Sequence, residues 1–450
     1  MEKGEEKVVT GMDALTRDYE REPVPELKRR NWFNVGIVWT GVAVCLAAFM
    51  VGGLVGFMLN LTDALIAIIL GGFITATIAA ICSVVGTRVN LTTPMICRFT
   101  FGDWGVYVVA LVLALGCYGW FAVQLGLFGE TFKASVGLLT GVVPGTAGLW
   151  LAIIIGGILM TATAVFGYRA LRWLSIIVVL PMILLMTISV FQVLGAHPWS
   201  ELVTRAPVNP APMAVVISMV AGAYMVGAVI TPDVSRYAKG AVHSIVGAYL
   251  GFFVFFAMLM YIGTILAHAV GDWDIVKIMI GLGWGLTAML ILVFAQWTTN
   301  DNNLWGATLA LSVVFRRWRR WLITAAAGVV GIILALWGIY GMMVDWLMLL
   351  SVLIPPIGGI YIADYFILNR GFYKFENLPK VAKARWLMLA SWAVASFFAY
   401  CTTASPYGFG WFKFTTIPAI DSFVIAFVLA LILGGVYIKV KGRWPEVTPA

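Results

Sequence analysis

The chain is short of charge: Asp, Glu, Lys and Arg make up 11% of its 450 residues, against roughly a quarter in an ordinary soluble domain. With 62% hydrophobic residues and a mean hydropathy of +0.96, it has too little polar side chain to cover a core with a wetted surface. A soluble protein is excluded, and an integral membrane protein remains. Histidine is nearly absent, at three residues, and Cys45, Cys82, Cys97, Cys117 and Cys401 lie in or beside apolar segments with no C-x-x-C spacing. A disulfide framework and a zinc centre therefore lack their residues. An enzyme lacks its own, since there is no His cluster, no Ser-His pair and no set of facing carboxylates. The first 30 residues include Glu2, Lys3, Glu5, Glu6 and Lys7, then Lys28, Arg29 and Arg30, with no apolar core between them. They read as a cytoplasmic tail, not a signal peptide.

Long apolar runs are plentiful. About 20 apolar residues cross a bilayer as a helix. Twelve such spans are expected, near 35–60, 63–86, 103–130, 147–166, 172–195, 211–231, 242–268, 281–314, 321–343, 345–368, 384–404 and 417–438. With the N-terminus inside, all of the 29 Lys and Arg residues except Lys133, Arg205, Lys277 and Lys413 fall on one side. Helix count and the positive-inside rule thus support each other, and both ends are expected in the cytoplasm of a cell-membrane protein. The net charge of +8 is explained by short loops near anionic headgroups, with no nucleic-acid partner implied. No obligate protein partner is apparent.

The expected organisation is a tail (1–34), a core (35–368), two additional spans (384–438) and a second tail (439–450). The core divides near 35–195 and 211–368, each half opening on a span rich in small residues, such as Gly52 and Gly53 in one and Ala221, Gly222 and Ala223 in the other. Two five-helix repeats would fit. Repeats of odd helix number insert with opposite orientations and place broken helices at the midplane. The same small residues also serve ordinary helix packing.

Three stretches carry polar chemistry inside apolar runs. In Gln296-Trp297-Thr298-Thr299-Asn300-Asp301-Asn302-Asn303 the polar residues interrupt a run that stays apolar as far as Arg316. Polar groups in lipid are costly and by default face a protein interior or a wet cavity. A helix boundary at Thr299 is the competing reading, but it would leave the following run too short to span. Thr298, Thr299 and the Ala295 carbonyl offer oxygen donors that suit a hard cation. The alternative is that the threonines bond back to the preceding turn. In the third span Trp120 and Gln124 are four apart, which puts a flat aromatic surface and an amide on one helical face. They could hold a planar polar ring or simply pack across helices. Tyr224, after Gly222 and Ala223, is a third candidate, with small neighbours that would let a ligand approach the backbone.

The segments NLTTPMICRFTFG (91–102, with the preceding turn), YGWFAVQ (118–124), TPDVSRYAKGA (231–241), WTTNDN (297–302) and PPIGGIYIADYF (355–366) occur in order, and together the chain resembles the cytosine permeases of the nucleobase:cation symporter-1 family. The resemblance implies an all-α membrane transporter of twelve helices, a five-plus-five inverted repeat with broken first and sixth helices, plus two further helices. It implies import of a heteroaromatic base with a cation, usually sodium, and no cofactor beyond that co-transported ion. By the family pattern the base stacks between Trp120 and Tyr224, beside Gly222 and Ala223; Gln124 and Asn300, with Asn302 a lesser candidate, are read as its hydrogen-bonding partners. The sodium ligands fall on Cys45 and Ala48 of the first helix and on Ala295, Thr298 and Thr299 of the eighth. Cys117, Ala223 and Ala295 depart from the cytosine-permease pattern, and Gln124 resembles the amide of hydantoin-type members. The expected function is a symporter for a nucleobase or a related small nitrogen heterocycle. The alternative is proton-coupled uptake of hydantoin, allantoin or a thiamine-pyrimidine precursor, with Asp301 as the lone intramembrane carboxylate. A channel would need polar lining in several helices, and here it is concentrated in one.

Overall fold

The computed structural model describes residues 19, 21–43, 45–166 and 168–441; Glu2, Lys3, Glu5, Glu6 and Lys7 of the first tail and 442–450 of the second lie outside them. Helix occupies every one of the expected spans. In chain order these are α1 (Trp32–Ala43 and Leu46–Met58), α2 (Leu61–Val89), α3 (Gly105–Thr140), α4 (Thr146–Phe166), α5 (Tyr168–Ala196) and α6 (Met213–Ala223 and Met225–Val229). Then follow α7 (Ala241–Val270), α8 (Gly285–Leu311), α9 (Arg320–Leu336), α10 (Ile339–Leu368), α11 (Trp386–Thr402) and α12 (Pro418–Lys441). Among the described residues six helices are by themselves long and apolar enough to cross a membrane, or seven if the two parts of α1 count as one span. α8 has the length, but its polar run lowers its hydropathy; α9 and α11 are shorter apolar helices. The eighth span begins at Gly285 rather than near 281, because Gly283 and Gly285 take positive φ (80° and 51°) and end the helical path before it.

Two helices are interrupted where the repeat pattern places them. The parts of α1, Trp32–Gly41 and Leu46–Met58, are bent by 62°, and Cys45 at the break is extended (φ −130°, ψ 157°). α6 breaks at Tyr224, whose φ −120° and ψ 12° leave the helical region. Both breaks fall beside buried residues, Cys45 in α1 and Ala223 in α6, as irregular backbone at membrane depth requires.

Glycine decides how closely the first helix packs. A Cβ on Gly52 would stand 2.0 Å from the Met260 carbonyl of α7, so the two backbones touch. Thr264 of α7 uses the proximity to donate to the Gly52 carbonyl at 2.9 Å. α7 contains a wide, π-type turn at Leu250–Phe255, and Trp39 of α1 packs there against Phe252 with centroids 4.8 Å apart. Such turns re-aim side chains and recur at functional sites.

The end of the molecule bearing the termini is tied by charge. Arg385 makes a two-pronged bond to Asp364 at 2.7 and 2.8 Å, with both side chains buried, and Tyr373 also donates to Asp364. This gives the Asp of the IADY motif a physical role: it joins the end of α10 to the start of α11. Asp103 receives Arg98 at 2.9 Å and Arg316 at 3.0 Å, linking the short helix Thr93–Phe101 to the segment after α8. Residues Arg21 to Arg30 cross the same face. Arg21 donates to the Ser312 and Arg316 carbonyls, and Arg30 pairs along the backbone with Ala238.

Candidate functional site

A cavity of about 180 Å³ lies between the two interrupted helices and the packed pair α3 and α8. α3 and α8 approach closely because Gly306 faces Cys117, whose sulfur would be 3.1 Å from a Cβ at that position. The cavity extends toward the termini-bearing end, where Val38, Asp233 and Arg320 contribute to its wall.

Trp120 and Gln124 stand one turn apart on the α3 wall, as helical spacing requires. Trp120 is buried but, among the described residues, has neither a ring partner nor a hydrogen bond. Gln124 is fully buried, and among the described residues neither amide atom has a partner. Buried polar atoms are almost always bonded, and leaving one unpaired costs about 1–3 kcal/mol. An unpaired amide beside a free indole face, in a cavity wall, therefore points to a partner supplied from outside the protein.

Tyr224 is fixed differently from Trp120. It stacks on Phe256 with centroids 4.3 Å apart and planes at 13°, and it tilts against Phe252 at 4.7 Å. Its hydroxyl is buried with no partner. Phe252 lies in the wide turn of α7 and Phe256 directly after it, so that turn aims an aromatic floor at the break of α6. Neither residue carried a signal in the sequence, where both fall in the apolar run LGFFVFFAMLM. Ala223 lines the cavity; Gly222 does not. A Cβ on Gly222 would stand 2.3 Å from the Leu347 carbonyl, so its small size serves contact with α10 rather than access for a ligand.

The polar run lies inside continuous helix, not at a boundary. Thr298 and Thr299 both donate to the Ala295 carbonyl at 2.9 Å, which places three oxygens within one turn. Both threonines line the cavity, as does Cys45 at the facing break of α1. Ala48 and Ala295 are buried behind the wall; the Ala48 amide donates to the Cys45 carbonyl at 3.2 Å. The donor set is oxygen from neutral groups, which suits a hard monovalent cation. The threonine bonds to Ala295 are equally the back-bonding of membrane helices.

Asn300 and Asn302 part company. Asn302 lines the cavity and donates to the Thr298 carbonyl at 3.2 Å. Asn300 is fully buried away from it, directed at the Met160 sulfur of α4 at 3.3 Å. Asp301 takes the wall position instead, held by Thr163 of α4 at 2.9 Å. Thr163 follows Thr161 in an otherwise apolar helix, and only the crossing of α4 over α8 decides which of the two meets Asp301.

A family model described as permease for cytosine/purines, uracil, thiamine, allantoin matches residues 23–430. The cytosine permease of Escherichia coli (strain K12) is 30% identical over 378 residues, covering 84% of this chain and 87% of that protein. The hydantoin permease of Microbacterium maritypicum is 24% identical over 423 residues, 87% of this chain and 84% of the relative. Among solved structures, the inward-facing conformation of Mhp1 superposes with a TM-score of 0.79 at 20% identity, covering 94% of this chain and 95% of that one. Mhp1, a nucleobase-cation-symport-1 family transporter, in a closed conformation with bromovinylhydantoin bound gives 0.77 at 21%, covering 94% and 96%. The fold is thus that of an inverted-repeat membrane transporter, with its first and sixth helices broken. A family match over most of the length, together with a relative at 30% identity over more than four-fifths of both chains, establishes that the chain belongs to the family of permeases for cytosine/purines, uracil, thiamine and allantoin.

Proposed function

We propose that this protein is a secondary active symporter that moves a planar nitrogen heterocycle, a nucleobase or a close relative, together with sodium across the cell membrane by alternating access. The observation that carries the reading is the unpartnered Gln124 amide beside the free face of Trp120 in a membrane-embedded cavity. Trp120 supplies a stacking face, Tyr224 on its Phe256 support bounds the opposite side, and Gln124 and Asn302 read the ring edge. Ring stacking adds about 0.5–1.5 kcal/mol beyond area burial, and the paired amide removes the cost of an orphan group. Binding therefore stabilises this conformation. Thr298, Thr299 and the Ala295 carbonyl, with the α1 break at Cys45 and Ala48 opposite, offer the cation its oxygens.

Sodium supplies the driving force. A neutral ring gains nothing from the membrane potential, while one accompanying cation gains about 2.3 kcal/mol per 100 mV. Extension of the cavity toward the termini-bearing end, which the basic loops assign to the cytoplasm, supports reading this as the inward-open state. No step in this cycle makes or breaks a covalent bond. The relatives that transport cytosine and hydantoin support both ring classes as substrates.

Purified protein in proteoliposomes tests the proposal. Uptake of a radiolabelled base should saturate, require an inward sodium gradient and vanish in Trp120→Ala. Uptake that neither saturates nor follows the gradient would refute symport, and full uptake by Trp120→Ala would refute the assigned cavity.

A further inference from the structure

Asp301 is a carboxyl inside the membrane domain, 2% exposed, at the wall of the cavity. It is held by an interlocked pair of bonds between α4 and α8. Thr163 donates to Oδ1 at 2.9 Å, and the Trp297 indole donates to the Thr163 oxygen at 2.8 Å. The Met160 carbonyl lies 2.9 Å from the same hydroxyl, so its single hydrogen is shared between that oxygen and Oδ1 while its lone pair accepts from Trp297. Among the described residues, Oδ2 has no hydrogen-bond partner, and no Lys, Arg or His forms an ion pair with Asp301. The protein has oriented a strong acceptor and left one of its oxygens open at the cavity.

Two features make this more than a buried polar residue. Position 301 follows the threonines of the proposed cation site on the same helix, within the same cavity wall. On α3, packed beside α8 in the same wall, Gln124 has an amide whose donor and acceptor are both unused among the described residues. Of these two groups in the wall, Asp301 when ionised only accepts, while Gln124 both donates and accepts.

We propose that Asp301 determines substrate choice: its Oδ2 accepts an N–H from the ring edge, so the site selects rings bearing an exocyclic amino group over rings with a carbonyl at the same atom. The proposal rests on reading the cavity as a heterocycle site. An amino-to-oxo exchange barely alters size or stacking, so the aromatic walls cannot make this distinction. It does replace a donor by an acceptor at that atom and moves the edge's N–H to the neighbouring ring nitrogen, so a ring held in one register by its stacking walls sets lone pairs, not a donor, against the carboxylate. Sites built to bond a donor reject the analogue lacking it far more strongly than apolar pockets reject a change of shape. Thr163 is a positioning residue here, acting only through Asp301.

The test uses matched ring pairs, cytosine with uracil and adenine with hypoxanthine, competing against a labelled ligand on the full-length purified protein at saturating sodium. Wild type should bind the amino member of each pair about tenfold more tightly or better, the worth of one bond to a charged acceptor. In Asp301→Asn, whose amide can pair with either edge, the ratio should fall to about twofold or less. Thr163→Val should lower the ratio while retaining ring binding, and it serves as the deciding variant if Asp301→Asn does not fold. Equal or reversed preference in wild type overturns the proposal. So does a ratio unchanged in both variants, or a variant Asp301→Asn that loses sodium linkage and keeps the ratio, since the carboxylate would then serve the cation. If no ring of either kind binds and Trp120→Ala changes nothing, the reading of the cavity itself has failed instead.

Discussion

The hydroxyl of Thr299 lies 2.9 Å from the carbonyl oxygen of Ala295, one turn earlier on α8. Thr298 reaches the same carbonyl at 2.9 Å, so two hydroxyl groups and one peptide oxygen share a small volume facing the α1 break. If a cation takes these oxygens, sodium and ring should each tighten the other's binding by the same factor, because linkage between two sites is reciprocal. Thr299→Ser keeps the oxygen and should retain sodium dependence; Thr299→Val keeps the shape and should lose it. Titration of ring binding at several sodium concentrations reads the factor directly. Normal sodium linkage in Thr299→Val would move the cation elsewhere, and uptake driven by a pH gradient in sodium-free buffer would replace sodium by a proton.

Gln124 makes an opposite pair of effects available from one substitution. Among the described residues neither amide atom has a partner, a cost of about 1–3 kcal/mol. Gln124→Met, of similar volume and with no amide, should raise the melting temperature of the empty protein. The same change should shrink the further rise produced by a ring, since the edge contact is gone. A lower melting temperature without ligand would mean that the amide already has a partner.

The Asp364–Arg385 pair is buried on both sides, and removing one member leaves an uncompensated charge. Asp364→Asn or Arg385→Met should each cost about 3–5 kcal/mol. The double substitution Asp364→Leu with Arg385→Met should recover part of that loss, the remainder reflecting Tyr373 and the Phe99 carbonyl, which also bond to the pair. Thermal melts of the three variants, measured side by side, check the order. Additive losses in the double variant would show that the two residues act independently.

Asp103 carries a pH dependence. Burial alone would push its carboxyl up, but the guanidinium groups of Arg316 and Arg98 outweigh it and hold it below the ordinary carboxylate range. A depressed folded value means that the bridge stabilises fully above the unfolded value and is lost as pH falls through the folded one. Asp103→Asn should thus destabilise on the order of 1 kcal/mol at neutral pH, the group being partly exposed. The gap to wild type should hold down to about pH 4 and close below it. A gap that closes on going from pH 8 to pH 6 would contradict the assignment.

Trp120 and Gln124 were legible in the sequence because four residues on a helix fix a common face whatever surrounds it. The polar run of α8 was legible because lipid makes such a run costly, so that its presence required a wet interior. Gly222 packs against α10 and does not line the cavity, which its letter could not tell, since a small residue admits a ligand or a neighbouring helix alike. Asn300 lies toward Met160 and Asp301 at the cavity for a related reason: neighbouring residues on a helix point about 100° apart, and only the position of α4 decides which of the two meets the cavity.

The sequence by itself determined that this chain lives in a bilayer, which segments are helical, where the charged loops fall and which family it joins. These follow from local composition, period and motif, each carried by residues near one another in the chain. Only the tertiary structure decided that Phe252 and Phe256 support Tyr224, that Thr163 and Trp297 orient Asp301, and that the Gln124 amide has no partner. Those facts depend on how helices far apart in sequence cross. The crossings are set by close backbone contacts such as Gly52 on Met260 and Gly222 on Leu347, where the absence of a single Cβ lets two helices meet.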